Sequence, residues 1–294
     1  MKTKTSRILA VVLIFQLLAF SACAGWLIYD AKVDRSGWAE KDGVRFYRDF
    51  HAKPVTGWLD IDGQRYFFLE GGIPATGWLE QDGVTRYFGS DGVMLTGWQT
   101  IGGKTYCFGD DGGMLTGWQQ NGSTYYYYDA NGELHKGWLN TENGYYYLNL
   151  STGKMTVGWE KINNKWYYFQ GNGVMATGWV KDNGKYYYML TDGTMHTGWV
   201  SIDNVFYYLG DSGAMATGWV NMDNGWYYFD PNDGRCTVNS AREIKDSWYM
   251  FGSDGKMVTG WQQVDGGYYY FHTDGRMLTG WLSDGTNSYY MDPA

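Results

Sequence analysis

Twelve tryptophans that follow a glycine recur in one register, at Trp38, Trp58, Trp78, Trp98, Trp118, Trp138, Trp159, Trp179, Trp199, Trp219, Trp261 and Trp281. The interval is 20 or 21 residues, apart from one gap of 42. Seven residues after the opening Trp, the later copies carry a second ring: Tyr125, Tyr145, Trp166, Tyr186, Phe206, Trp226 and Tyr268. A methionine recurs just before the next Thr-Gly-Trp, at Met94, Met114, Met155, Met175, Met195, Met215, Met257 and Met277. Ring faces attract cations, and a thioether is a soft, polarizable wall. A set of this kind can hold a cation or stack on a sugar, and it offers no nucleophile.

Other chemistries find little support. No Ser/His/Asp, paired-carboxylate or phosphate-loop constellation rises above the turn background, so the chain is read as non-enzymatic and without a cofactor. Asp-x-Asp-Gly segments such as Asp60 to Gly63 lack a bidentate Glu at loop spacing and are turns, not calcium loops. His51, His135, His196 and His272 occupy unrelated repeat positions and are expected at the surface without metal. Cys107 and Cys236 lie far apart along the chain, and in an array where units touch their neighbours both should be free thiols.

The elements that must position the rings are hairpins. In the copy that opens at Trp179, Asn183-Gly184 is a two-residue turn signal, and Asp62, Asp82 and Asn143, each followed by Gly, mark comparable turns. That turn sets Trp179 opposite Tyr188, Lys181 opposite Tyr186 and Val180 opposite Tyr187. Cross-strand partners share a face. Val180, Tyr187 and Met189 therefore form one face, the core side, leaving Trp179, Tyr186 and Tyr188 on the other. A lone hairpin is marginal, so the units must stack into an all-β solenoid of about 20 residues per repeat. A worn copy fills the gap of 42: Ala241 stands where Trp should, followed by Trp248-Tyr249-Met250-Phe251.

Residues 1–24 read as an export signal, with Lys2, Lys4 and Arg7 before an apolar run from Ile8 to Phe20. Two endings fit: cleavage after Ala24, or a lipobox with Cys23 as the acylated residue. The run is too short to span a bilayer. Without the three basic residues of the signal the net charge falls from -8 to -11. An acidic, ring-rich exported surface suits cationic ligands and argues against nucleic acid.

The recurring Gly-Trp, turn, Trp/Tyr-Tyr-Tyr-Phe, Asp-Gly, Met-Ala-Thr-Gly-Trp, clearest from Gly158 to Trp179, resembles the choline-binding or cell-wall-binding repeats of Gram-positive surface proteins. The resemblance runs from about residue 37 to 294. It implies a left-handed superhelix of hairpins with choline held between consecutive units by aromatics and a Met. It also implies choline or phosphocholine on teichoic and lipoteichoic acids as partner, cell-surface or cell-wall localisation, and an adhesin or regulatory role that could include host surface molecules. The dozen residues between the signal and Trp38 are too few for a catalytic domain, which predicts a binding array without an attached effector. Similar Tyr-rich repeats occur in glucan-binding arrays, so a carbohydrate ligand is the alternative, and the hairpin at Trp281 could pair two copies of the chain.

With that family as template, the expected choline ligands are Trp118, Tyr125, Trp138, Tyr145, Met155, Trp159, Trp166, Tyr168, Met175, Trp179, Tyr186, Tyr188, Met195, Trp199, Phe206, Tyr208, Met215, Trp219, Trp261, Tyr268, Met277 and Trp281. Trp159, Trp166, Met175 and Trp179 are expected to share one cavity, with Tyr168 close by. At the ring position the first copies carry Arg45, Arg65, Thr85 and Thr105, which would repel a cation or remove a wall. The expected organisation is residues 25–37 as a short lead, 38–117 as repeats with degenerate sites, 118–240 as the central choline-binding repeats, 241–260 as the worn repeat and 261–294 as C-terminal repeats and cap. Ala241 is expected to disable the cavity after Trp219. Three or four rings at about 1 kcal/mol each give a single site near the millimolar range, so number must supply the avidity.

Overall fold

The computed structural model describes residues 36–222 and 225–292. The expected export signal, Cys23 and the segment to residue 35 lie outside them. The described residues form thirteen two-stranded sheets, each a hairpin of neighbouring strands, with one short 3-10 turn at Glu70–Gly72. The fold is all-β, as the period predicts. It divides into two compact units: one runs to Gly77 and takes in Phe88–Met94, and the other holds Trp78–Tyr87 and the chain from Leu95 onward.

The Trp179 hairpin shows why the sequence folds this way. Gly178–Asp182 pairs antiparallel with Lys185–Met189, setting Trp179 opposite Tyr188, Val180 opposite Tyr187 and Lys181 opposite Tyr186. Asn183 and Gly184 take φ of 46° and 78°. A type I′ turn needs positive φ at both central residues, which Asn and Gly adopt most easily. One expected turn is displaced. Gly144 pairs with Thr141, so the connection at the Trp138 hairpin is Glu142-Asn143 and not Asn143-Gly144. Sliding the turn by one residue would have set Tyr147 opposite Asn140 in place of Trp138, and Tyr145 opposite Glu142 in place of Asn140. The Thr141 hydroxyl fixes the observed register, donating to the Gly144 carbonyl at 3.1 Å and accepting from Asn143 N–H at 3.2 Å.

The core is built from fully buried side chains, Phe68 and Phe88 in the first unit and Tyr128, Leu148, Phe169, Met189, Leu209, Phe229 and Phe251 in the second. Each ends the second strand of its hairpin. In the Trp179 hairpin that residue, Met189, pairs with Gly178, which carries no side chain of its own. Val180, Leu139 and Ile162 add to this side and are also buried. The middle tyrosine, Tyr187, is only half-buried, a departure from the expected core role that the site explains.

Successive hairpins are tied by the linker methionine. Met175 N–H donates to the Tyr145 carbonyl at 2.7 Å, while Met175 also bridges to Phe169 at the end of the strand before it. The glycine of the next linker turn covers it. Gly193 has φ of 80°, and a Cβ added there would stand 2.2 Å from Met175 Sδ. The same approach recurs at Gly173, Gly213, Gly234 and Gly275 over Met155, Met195, Met215 and Met257. By contrast Gly184, at the hairpin tip, has φ of 78° and open space around it.

These two glycines separate backbone strain from steric fit. Gly184→Ala should cost about 1–2 kcal/mol, the ordinary penalty of a left-handed alanine. Gly193→Ala should cost more than that, because Met175 must also move. Urea unfolding of both variants checks the order, and equal losses would show that the approach to Met175 is immaterial.

Candidate functional site

The joints at Trp138, Trp179, Trp199 and Trp219 each hold a cavity, and the one at Trp179 defines the type. It encloses about 320 Å³ and is lined by Trp179, Tyr186, Tyr207, Met215, Asn232 and Asp233. The Trp179 ring stands edge-on between Tyr188 of its own hairpin, 5.1 Å away, and Tyr207 of the next, 5.0 Å away. Tyr186 completes the wall, and the two rings stay partly open to solvent at 37% each. Met215 N–H donates to the Tyr186 carbonyl at 2.8 Å, which fixes the thioether beside that ring. At the mouth lies Asp233, whose carboxylate accepts from Arg235 N–H at 3.1 Å.

The same set recurs. Trp138, Tyr145, Tyr167, Met175 and Asp192 line about 360 Å³. Trp219, Trp226, Tyr249, Met257 and Asp274 line about 340 Å³. In the cavity of about 250 Å³ at Trp199, lined also by Phe206, Tyr227 and Asp254, Cys236 takes the place of Met. Burial pushes that thiol up to about 11, so it is a neutral, soft wall at ordinary pH. Trp118 meets Tyr146 at 4.9 Å, with Met155 N–H bonded to the Tyr125 carbonyl at 2.9 Å. Trp159 meets Tyr187 at 4.7 Å and Trp166 at 6.4 Å, and Met195 N–H is bonded to the Trp166 carbonyl at 2.8 Å.

The structure moves several expected residues. Met175 does not join Trp159 and Trp166; it belongs one joint earlier, with Trp138 and Tyr145, and Trp179 opens a cavity of its own. Met277 likewise bonds to the Trp248 carbonyl and lines the cavity at Ala241, not one at Trp261. The ring across from Trp261 is Tyr289, at 5.1 Å, and not Trp281. Tyr168, Tyr188 and Tyr208 sit edge-on behind Trp159, Trp179 and Trp199 at 5.1, 5.1 and 5.4 Å and act as buttresses. Ala241 does not touch the Trp219 cavity, which is complete.

Four middle tyrosines and aromatics of the next hairpin were missed as walls: Tyr167, Tyr207, Tyr227 and Tyr249. The signal was present as three consecutive rings per second strand, of which the central one serves core and cavity together. The mouth carboxylates Asp192, Asp233, Asp254 and Asp274 were hidden as turn residues. His135 and His196 share a position after all: each is half-buried, with its Nε2 2.9 Å from the carbonyl of the Trp three residues on. Cys107 and Cys236 are free and buried.

The first copies differ in kind. The Arg45 guanidinium lies 3.5 Å from the Trp38 ring centroid, and that of Arg65 lies 5.0 Å from Trp58. These rings already hold a cation from their own hairpin. At Trp138, Trp179 and Trp219, electron-rich faces, a thioether and a carboxylate converge on an open concavity, an arrangement suited to a methylated cation.

The sequence profile of the choline-binding repeat matches residues 55–96, 95–136, 156–197, 196–240 and 258–294. The chain belongs to this family. Among solved structures, CbpJ from Streptococcus pneumoniae TIGR4 is 29% identical, with a TM-score of 0.61 over 83% of this chain and 100% of that one. Choline-binding protein F of Streptococcus pneumoniae is 29% identical, with a TM-score of 0.58 over 83% and 99%. The choline-binding domain of CbpL from the same organism is 31% identical, with a TM-score of 0.50 over 63% and 97%. No curated protein sequence matches significantly. Within these choline-binding repeats the cavity wall at a given Trp comes from the Met after the following hairpin. Met215→Ala should therefore weaken cation binding at Trp179 by roughly 2- to 10-fold, the worth of a sulfur–ring contact, and leave Trp199 unchanged. Indole N–H chemical shifts during a choline titration read the two sites separately, and a shift in affinity at Trp199 instead would overturn the register.

Proposed function

We propose that the joints from Trp118 to Trp226 bind choline or phosphocholine groups of teichoic and lipoteichoic acid, and that their number retains an exported, non-enzymatic protein on the cell wall. The observation that carries this is the convergence, at one joint after another, of the opening Trp, the ring seven residues on, the next hairpin's tyrosine and a Met or Cys, with an aspartate at the mouth. A quaternary ammonium has no N–H to donate, so ring faces and methyl contacts are the forces available to hold it. Choline-binding protein F, to which the chain is similar, has been solved in the presence of a peptidoglycan analogue, which supports an envelope setting. The joints at Arg45 and Arg65 are excluded because their guanidinium groups occupy the ring faces. The largely exposed rings of Trp281 and Tyr290, at 74% and 58%, support self-association through that hairpin, which sedimentation with and without choline would test.

Retention on a choline-type resin with release by free choline tests the main reading; retention on dextran that choline does not disturb would replace it with a sugar-binding one. Trp179→Ala should weaken its own site by roughly 2- to 30-fold, the worth of a cation–π contact of about 0.5–2 kcal/mol, while indole signals of Trp38 and Trp58 should not respond to choline.

The pH profile follows from the aspartates, because choline itself does not titrate. The Thr194 hydroxyl and amide hold the Asp192 carboxyl below its ordinary value of 3.8. Arg276 does the same for Asp274. Depressed carboxyl pKa values mean that the charge, and the stability tied to it, is present above 3.8 and lost as pH falls through the lowered values. Choline affinity at Trp138 and Trp219 should stay level from neutral pH down to about 5 and decline only below about 4. Isothermal titration across that range checks it, and a decline centred near pH 6 would point to histidine instead.

A further inference from the structure

We infer that the joint at Ala241 is a receptor for a neutral, planar aromatic ring, a ligand class different from that of the Trp-bearing joints. The hairpin frame there is intact. Ser240–Ile244 pairs with Ser247–Phe251, with Ala241 opposite Met250 and Glu243 opposite Trp248. Met277 N–H donates to the Trp248 carbonyl at 2.8 Å, the same tie that closes the other joints. What differs is the opening side chain. Elsewhere an indole stands edge-on between the ring behind it and the middle tyrosine of the next hairpin. Here a methyl group stands in its place, and the space of an indole is left between Met250 and Tyr269.

The result is a cavity of about 200 Å³ lined by Ala241, Trp248, Met250, Tyr269, Phe271 and Met277, with Val264 below. An apolar cavity of roughly 150 Å³ stays dry and takes up benzene in a well-studied protein, so this one has room for a single ring system. Two thioethers face the space, and sulfur favours the edges of aromatic rings. The cation-binding features are missing together. The opening indole is absent, and among the described residues no carboxylate lines this cavity, whereas Asp192, Asp233, Asp254 and Asp274 line the other four. Glu243 shares a face with Trp248 but does not line the space. Burying a methylammonium here would desolvate charge with one wall and the mouth carboxylate lacking, while a neutral ring gains apolar burial without that cost.

The test uses the full chain labelled with 13C-methyl methionine, titrated separately with indole and with choline. Indole should shift the Met250 and Met277 methyls saturably, and choline should shift Met215 while leaving Met277 in place. Ala241→Trp should weaken indole binding by about tenfold or more, since the variant's own indole fills the hole; Ala241→Leu serves if that variant does not fold. Absence of a saturable indole shift at Met250 and Met277, an unchanged indole affinity in the filled variant, or choline shifting Met277 with the midpoint seen at Met215 would each overturn the inference. A failure of choline to shift Met215 would count against the choline reading alone and leave this inference standing.

Discussion

The backbone hydrogen bond from each linker residue to the carbonyl of the ring seven positions into the previous hairpin sustains everything else. Ten such bonds occur among the described residues, from Met94 to Arg65 through Met277 to Trp248, all between 2.7 and 2.9 Å. A two-stranded hairpin buries too little to stand alone and leaves edge groups unpaired. This bond satisfies one carbonyl on that edge and at the same time sets the distance to the next unit. Because it is made by main chain, it is indifferent to side chain. It forms at Arg65, Thr85 and Thr105 as readily as at Tyr186, and Leu134 and Cys236 donate as well as methionine does. The linker glycines complete the constraint, since their positive φ turns the chain and their missing Cβ leaves space for the methionine beneath.

What was legible in the sequence is what pairing decides locally. The hairpins, the pairing of Trp179 with Tyr188, and the burial of Val180 and Met189 follow from a side-chain period of two and a turn that accepts positive φ. The joint was not legible, because it depends on a bond between hairpins that leaves no mark in residue type. Met175 lies four residues before Trp179 and thirty after Tyr145, yet the bond to the Tyr145 carbonyl turns it back to the earlier cavity. The error at Ala241 is the same one: with the register moved by one joint, the loss falls on the cavity of Trp248 and spares that of Trp219. Tyr207 and its equivalents were concealed for another reason. A half-buried ring presents one face to the core and the other to the ligand space, and a binary pattern assigns it to the core alone.

A frame held by main chain frees the side chains to diversify. Substituting the opening Trp by Ala, or the linker Met by Cys, changes what a cavity can hold without changing where it is. Ordinary binding sites on loops couple the two, because the residues that shape the site also shape the loop. Here the coupling is loosened, so a single chain can carry self-filled, cation-binding and neutral joints on one repeat.

The internal cations show how far that grading extends. The Arg45 guanidinium carbon lies 3.5 Å from the Trp38 centroid, and a planar, weakly hydrated group gives up little on stacking. Lys181 and Lys161 approach the rings at Tyr186 and Trp166 less closely, at 5.1 and 6.0 Å. An ammonium on a flexible stem is strongly hydrated and regains rotamer freedom when displaced, so it can leave a cavity to a permanent quaternary cation where arginine cannot. The joints at Trp138, Trp199 and Trp219 carry Asn140, Ser201 and Asn221 at that position and present no internal competitor from it. Where a joint has a cationic side chain of its own, the hydration and stiffness of that side chain decide how firmly it holds the ring face.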